Sequence, residues 1–157
     1  MLAIRREAVD IVCPLIRGDY LFNPIEVTIK SPKSYRKAVY RIAQFFRREF
    51  DYDFAQYGYE GEENDPDCVA FLWIHPEAGA RGKEFQVPCI GACCFRLRQS
   101  GYALQWIWIH PYFRRQGLLS EAWTKFRDRF GEFDVDRPLS DAMKAFLNKQ
   151  SVGARHD

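Results

Sequence analysis

The feature that most constrains the fold is a stretch near the C-terminus that reads WIWIHPYFRRQGLLSEAW, from Trp106 to Trp123. Its large apolar residues end a longer run, YALQWIWI, which predicts a buried strand. Pro111 ends this strand, since proline has no N–H to donate to a ladder. From Gly117 onwards apolar residues recur at helical spacing, which predicts a helix as far as about Phe130. The stretch therefore predicts a strand that passes through a short turn into a helix.

The turn between this strand and this helix carries Arg114, Arg115 and Gly117. The first amides of a helix have no intrahelical partners, and the helix dipole adds partial positive charge there. Glycine lets a bulky anion approach the backbone, and guanidinium groups match phosphate oxygens. The turn predicts a phosphate site, with solvated surface arginines as the alternative. It matches neither the Walker pattern nor G-x-G-x-x-G.

The remaining segments predict the order strand, helix, loop, three antiparallel strands, helix, short strand and helix. Alternation and β-branching predict strands, QSG predicts a hairpin turn, and Ser140 is a good helix cap. The order predicts an α+β (mixed α/β) fold, with a largely antiparallel central sheet flanked by helices. The predicted strands are 23–30, 68–74, 88–98, 102–109 and, within FDV, a short one before the last helix; the predicted helices are 31–50, 117–130 and 138–150.

The length of 157 residues predicts one domain, 1–157, with its core at 23–150 and an arm or extra strand at 1–22. An apolar content of 47% argues against disorder. No run of about 18 apolar residues predicts a membrane span, and the charged N-terminus does not resemble a secretion signal, so a cytoplasmic location is expected. The five cysteines are expected to be reduced, with Cys89 and Cys93 in the core, and a disulfide or zinc framework is the alternative.

The stretch IWIHPYFRRQGLL resembles the acetyl-CoA-binding motif of the GNAT superfamily of N-acetyltransferases. That motif ends the fourth strand as apolar-x-apolar-x-Pro and opens a helix with Arg/Gln-x-x-Gly-x-Gly/Ala. Leu119 occupies the place of the second Gly/Ala, which is a departure from the pattern. The order of elements over residues 23–150 agrees with the GNAT fold. The positions that match in register are Ile107, Ile109, Pro111, Arg114 and Gly117.

The resemblance implies an enzyme that moves an acetyl group from acetyl-CoA to an amine by direct attack. In the family, backbone groups at the end of the fourth strand hold the pantetheine arm, and the following turn wraps the pyrophosphate. No metal is implied. The implied cofactor-binding residues are Ile107, Trp108, Ile109, Arg114, Arg115, Gln116, Gly117, Leu118, Leu119 and Ser120.

The residues that many GNAT enzymes use for proton transfer are absent. The strand YALQWIWI has no acid, and Phe146 stands near the place of the usual tyrosine in the last helix. The segment FDVDRPLSDAMKAFL resembles the end of the cohesion-establishment acetyltransferases, which makes Asp134 and Asp136 catalytic candidates. His110 is a third candidate, because its pKa range suits a base. The alternatives are two loop carboxylates and a packed or solvent-bound histidine.

The segment 51–67 contains seven acids and no Lys or Arg, whereas the rest of the chain has 23 basic and 14 acidic residues. The segment lies where GNAT proteins place acceptor-side elements, so a cationic amine acceptor, small molecule or protein, is expected. A solvated acidic loop is the alternative. The other functions left open are a GNAT-fold acetyl-CoA or protein-binding module without efficient turnover, an RNA- or aminoacyl-tRNA-directed protein, and a homodimer. The acids and aromatics singled out here are Asp51, Asp53, Glu60, Glu62, Glu63, Tyr52, Tyr57 and Tyr59.

Overall fold

The computed structural model describes residues 3–6, 9–17, 23–59, 65–76 and 86–156. A short 3-10 helix, Pro111–Phe113, stands between the last long strand and the second α-helix. The strands are β1 (Ala3–Arg6), β2 (Val9–Val12), β3 (Leu15–Ile16), β4 (Ile25–Val27), β5 (Cys68–Ile74), β6 (Val87–Arg98), β7 (Gly101–Ile109) and β8 (Asp134–Val135). The helices are α1 (Lys33–Glu49), α2 (Leu118–Phe130) and α3 (Asp141–His156).

The main sheet has the order β4-β5-β6-β7-β8, and β3 pairs with the beginning of β6. Strands β4 to β7 are antiparallel neighbours, while β8 runs parallel to β7. The predicted α+β fold with a mainly antiparallel sheet is therefore confirmed. In the N-terminal segment, predicted as an arm or an extra strand, β1 and β2 form a separate two-stranded sheet and β3 joins β6. Residues 18–22 lie outside the described residues.

The β6–β7 hairpin is formed as QSG predicted. Arg98 pairs with Gly101 across the two-residue turn, and Gly101 has a φ of 113°, a conformation that favours glycine. All seven residues of β5 are buried. They read as a continuous apolar run because helices cover both faces of this part of the sheet.

Helix α1 covers one face of the sheet with the apolar stripe that the sequence predicted. Phe50, predicted on the same stripe, is 41% exposed, so that part of the prediction is wrong. The reason is that the helix ends at Glu49, and Asp51 turns the chain through a φ of 59°. The buried residues of the stripe are Tyr35, Ala38, Val39, Ile42 and Ala43.

Helices α2 and α3 cover the opposite face and pack around an aromatic cluster that includes Phe71, Phe95 and Phe126. The cap predicted at Ser140 is confirmed, because its Oγ accepts a hydrogen bond from the Met143 amide at 3.1 Å. Helix α3 begins three residues later than predicted and continues to His156. In the described part of the chain, no helix is both long and apolar enough to cross a membrane.

The prediction that all cysteines are reduced is wrong for one pair, since the structure joins Cys68 and Cys94 in a disulfide between β5 and β6. Cys94 lies opposite Ala70, so the two cysteines are diagonal neighbours on one face of the sheet. Their Cα atoms are 6.6 Å apart, within the range that a disulfide spans. Cys13, Cys89 and Cys93 are free thiols and buried.

Candidate active site

Strand β7 contains a β-bulge at Gln105. Cys94 pairs with Trp106 and Phe95 pairs with Leu104, so Gln105 is an extra residue without a partner in β6. The bulge reverses the alternation of side chains: Leu104 packs with the α2–α3 cluster and Trp106 with the α1 cluster. Gln105 instead accepts a hydrogen bond from Arg96 Nε through its Oε1, at 3.0 Å.

Strands β7 and β8 separate next to this bulge. Strand β8 pairs only with Ala103 and Leu104, and the last bond between the two segments runs from the Asp136 amide to the Leu104 carbonyl, at 2.8 Å. In the described part of the chain, residues 105–109 of β7 have no strand partner on this edge. Their backbone groups therefore face a gap between the two strands, and this edge leads directly to the turn before α2.

A cleft of about 1020 Å³ opens at this gap. One wall is the edge of β7 from Leu104 to Ile107, a second is the segment after α1, and a third is the connection from β8 to α3. Trp106 ties the first two walls together, because its indole N–H donates to the Gln56 carbonyl at 3.2 Å. The aromatic lining residues are Tyr40, Phe46, Phe50, Tyr52, Phe54, Tyr57 and Trp106, and the charged ones are Arg96, Arg98, Asp136 and Arg137.

The turn before α2 presents uncapped helix amides. Gly117 is the N-cap residue with a φ of 84°, and its side-chain position would meet no neighbouring atom, so conformation and not space requires glycine here. Among the described residues no side chain caps the helix, and the first intrahelical bond is donated by Glu121 to the Gly117 carbonyl. The amides of residues 118–120 precede that bond, which is the arrangement that binds anions at helix N-termini.

The side chain of Arg114 is fixed by a set of contacts to other groups. Its two terminal nitrogens donate to the Glu49 carboxylate at 2.9 and 2.6 Å, and its Nε donates to the Ile109 carbonyl at 2.6 Å. The guanidinium also lies over the Trp108 ring, 5.7 Å from its centroid. Trp108 donates its indole N–H to the same carboxylate at 3.0 Å. Glu49 therefore neutralises the charge that the sequence assigned to a pyrophosphate.

The other predicted cofactor-binding residues lie along the same path. Ile107 lines the cleft, and Ile109 is half-buried against the α2–α3 cluster. Arg115 is exposed with a φ of 64° and has no ion-pair partner among the described residues. Gln116 donates from Nε2 to the Tyr112 carbonyl at 2.8 Å, which braces the turn. The predicted set thus forms one continuous strand edge and turn.

Of the three predicted catalytic residues, only Asp136 lines the cleft, where it forms an ion pair with Arg98. Asp134 is exposed on β8 and lies outside the lining. His110 is fully buried, and its Nδ1 accepts a hydrogen bond from the Tyr112 amide at 3.0 Å. This bond caps the 3-10 helix. The structure does not bring the three residues together, and it favours the packing interpretation for His110.

The described acids of the segment 51–67 lie outside the cleft lining. Asp51 and Asp53 are exposed and lie outside the lining, while Asp65 forms an ion pair with Arg96. Glu60, Glu62 and Glu63 lie outside the described residues. The tyrosines of this segment are placed differently from its described acids. Tyr52 and Tyr57 line the cleft, whereas Tyr59 packs on Tyr40, with their ring centroids 5.2 Å apart.

The sequence did not indicate the burial of Tyr57 or the two arginines that β6 contributes to the cleft. Tyr57 is buried, and burial raises its pKa to about 12 against the opposing charge of Arg36, so its hydroxyl remains a donor at neutral pH. Arg96 and Arg98 stand two residues apart on β6, which places them on one face of the strand. In the sequence, these two arginines are visible as FRLR at the end of an otherwise apolar strand.

The free cysteines are not placed for nucleophilic catalysis. Burial raises the pKa of Cys13 to about 11, and it raises the pKa of Cys89 and of Cys93 further. Such thiols are almost entirely protonated at neutral pH, whereas nucleophilic attack needs the thiolate. Among the described side chains, no group of three or more His, Cys, Asp and Glu residues is arranged to hold a metal ion.

Comparisons with known proteins found little similarity. No protein-family profile matches the chain, and no curated protein matches it. Among solved structures, an aminoglycoside acetyltransferase from an uncultured soil metagenomic sample, in complex with trehalose, aligns over 82% of this chain and 84% of its own. The identity is 11% and the TM-score 0.45, values too low to support a conclusion about this chain.

Proposed function

We propose that the chain is an N-acetyltransferase of the GNAT type, which moves an acetyl group from acetyl-CoA to an amine. The observation that carries this proposal is the parting of β7 and β8 after Leu104. It leaves a strand edge with unpaired backbone groups that runs from a cleft to an uncapped helix N-terminus. The motif that resembles the GNAT signature occupies this edge and this turn.

The described residues fit the chemical groups of acetyl-CoA. Its pantetheine arm carries amides, which can pair with the backbone groups that residues 105–108 present on this edge, as an added strand does; the Ile109 carbonyl already accepts the Nε of Arg114. Its diphosphate is an anion suited to the amides of Leu118, Leu119 and Ser120. Its thioester supplies the acetyl group. With the diphosphate at the turn, an arm bound along β7 leads into the cleft beside Ile107.

The reaction requires one bond to form and one to break. The amine nitrogen forms a bond with the thioester carbonyl carbon, the carbon–sulfur bond breaks, and the proton that the nitrogen loses ends on the departing sulfur. Asp136 is the acid of the described cleft lining, so it is assigned the acceptance of the amine proton. Tyr57 is assigned a hydrogen bond to the reacting groups, because it is buried in the same cleft and stays neutral.

The test uses a charge placed in the first turn of α2. Ser120 is exposed there, and a Ser120→Glu substitution puts a carboxylate where the diphosphate is proposed to bind. A negative charge at a helix N-terminus stabilises the helix, so the variant is expected to fold. We expect acetyl-CoA binding, measured by isothermal titration, to weaken at least tenfold, or by about 1.4 kcal/mol. Ser120→Gln has the same size without the charge and should bind nearly as well as the parent.

Two results would reject the proposal. The first is a folded parent protein that does not bind acetyl-CoA at any concentration up to the millimolar range. The second is equal affinity of Ser120→Glu and Ser120→Gln, which would mean that the anion does not lie at this turn. Binding of free CoA in parallel shows whether the acetyl group contributes.

A second candidate is a GNAT-fold module that binds acetyl-CoA without efficient turnover. It is favoured by the absence of an acid on β7 and by the pairing of Arg114 with Glu49. Release of CoA in the presence of an amine panel separates the two candidates, since the module binds acetyl-CoA and releases none. An RNA-directed role and a homodimer stay predictions from the sequence.

A further inference from the structure

The described charged residues that line the cleft are three arginines and one aspartate. Arg96 and Arg98 project from β6 on the face that α1 covers, as Cys94 does, and Arg137 is the second residue after β8. Arg96 is fixed from two sides, by Gln105 in the bulge and by Asp65. The arginines therefore border the point where β7 and β8 part, on the side of the sheet that α1 covers.

The aspartates nearby do not balance these charges. Asp65 pairs with Arg96 and Asp136 pairs with Arg98, while Arg137 has no ion-pair partner among the described residues. Burial lowers the pKa of Arg96, and the charge of Arg98 lowers it further against the opposing effect of Asp136. The charge of Arg98 thus disfavours the charged form of Arg96, and an anion bound in the cleft beside these arginines would offset this repulsion.

The opposite wall of the cleft is aromatic. The Phe46 and Tyr52 rings stack with their centroids 5.3 Å apart, and Phe50 and Phe54 are 41% and 70% exposed. Large apolar side chains that remain exposed at the mouth of a cleft commonly mark a surface that binds an apolar partner. Since Phe54 and the arginines line the same cleft, one small molecule can contact both walls.

Building on the proposed function, we propose that the acceptor is a small amine with an apolar, preferably aromatic, body and an anionic group, carboxylate or phosphate, that Arg98 and Arg137 bind. This differs from the cationic acceptor expected from the sequence; of the acids behind that expectation, the described Asp51 and Asp53 lie outside the cleft lining. The anionic group would hold the molecule at the arginines, and its amine would lie toward the edge of β7.

The experiment measures binding of matched pairs to the CoA-loaded protein by isothermal titration. Phenylalanine and phenethylamine differ by a carboxylate, tyramine phosphate and tyramine differ by a phosphate, and spermidine represents a cationic acceptor. We expect at least one anionic compound to bind ten times more tightly than its partner, and the pair that shows the difference identifies the group. Arg137→Gln should reduce this advantage at least fivefold and leave the affinity for the partner that lacks the anionic group within twofold. Arg127→Gln, an exposed arginine of α2 outside the lining, is the control.

The outcomes separate this inference from the proposed function. If the protein does not bind acetyl-CoA or CoA, the proposed function fails and the inference fails with it. If CoA binds but neither anionic compound does, or if spermidine or the partners without the anionic group bind as tightly, the acceptor class is wrong while the proposed function stands. If the preference is seen but Arg137→Gln and Arg127→Gln bind the anionic compound equally, the assignment to Arg137 is overturned.

Discussion

Arg114 and Glu49 join the turn before α2 to the end of α1 through a two-point ion pair between residues 65 positions apart in the chain. Both side chains are about one-third exposed, so the pair is partly screened by solvent. The carboxylate also accepts the indole N–H of Trp108. One carboxylate thus fixes the arginine that the sequence assigned to phosphate binding.

We predict that Glu49→Gln strengthens acetyl-CoA binding about three- to tenfold, because it releases the guanidinium of Arg114 toward the diphosphate. The amide can still accept the Trp108 hydrogen bond, so the free energy of unfolding should fall by only about 1 kcal/mol. Titration at two salt concentrations measures both the affinity and its electrostatic part. Glu132→Gln, an exposed residue after α2, is the control. Unchanged or weaker binding by Glu49→Gln would mean that Glu49 does not compete for Arg114.

Gly91 allows β6 and β7 to approach closely. A Cβ at this position would lie 2.9 Å from the Trp108 carbonyl oxygen and 3.3 Å from the Ile109 Cα, and both are backbone atoms. Gly91→Ala must therefore displace the end of β7, and we predict a loss of about 1–3 kcal/mol in the free energy of unfolding. Urea unfolding measures it, and acetyl-CoA affinity should fall as well. A variant with the parent's urea midpoint would show that β7 can shift without cost.

Trp123 has a buried indole N–H without a hydrogen-bond partner among the described residues. The ring packs against Phe126, Phe133 and Phe146. Trp123→Phe removes the unpaired donor but also some packing, so its stability should lie within about 1 kcal/mol of the parent. Trp123→Ala should cost about 3–5 kcal/mol. Thermal unfolding of both variants tests this, and a loss for Trp123→Phe as large as for Trp123→Ala would show that the N–H has a partner.

Stability should fall in alkaline solution. Folding raises the pKa of Cys13 from 9.0 to about 11 and that of Tyr57 from 10.0 to about 12. Between these values the folded state therefore retains protons that the unfolded state has lost. The stabilisation is complete below pH 9, and it is lost as the pH rises toward 11 for Cys13 and toward 12 for Tyr57. Each group contributes at most about 1.4 kcal/mol per pH unit within its own interval.

Urea midpoints at pH 8 and pH 10.5 measure this decline. Cys13→Ala should make the decline that begins near pH 9 shallower without abolishing it, because the buried thiols of Cys89 and Cys93 contribute to the same interval. Tyr57→Phe should remove the contribution of Tyr57, which begins near pH 10. A parent protein equally stable at both pH values would contradict the burial of these groups. If the urea midpoint falls equally between the two pH values in the parent and in both variants, other residues cause the decline.

The sequence predicted the elements well where periodicity and turn chemistry are local. The apolar spacing of α1 and α2, the QSG hairpin and the Ser140 cap all concern residues within a few positions of each other. The end of α3 was missed, since the helix continues past the predicted Gln150 through a polar segment. The short strand in FDV was found from its β-branched residue, and its parallel pairing with β7 came only from the structure.

The site was harder to predict because its properties depend on distant pairings. Arg114 matched a phosphate-binding pattern, but nothing near it in the sequence indicates Glu49. His110 has a suitable pKa range for a base, but its burial as a cap depends on the 3-10 helix that follows. The acidic segment suggested a cationic ligand, whereas the described cleft lining takes its arginines from β6 and from the connection after β8.

The bulge at Gln105 makes β7 one residue longer than its packing requires. A strand without this residue would still place Leu104 opposite Phe95 and Trp106 opposite Cys94, and each would still face the cluster it now contacts. After the deletion both hydrophobic clusters would contain the same residues as before. Packing of the hydrophobic core therefore does not explain why the chain has Gln105. The extra residue lies where β8 leaves the sheet, and it adds there one amide and one carbonyl that a regular strand would not have.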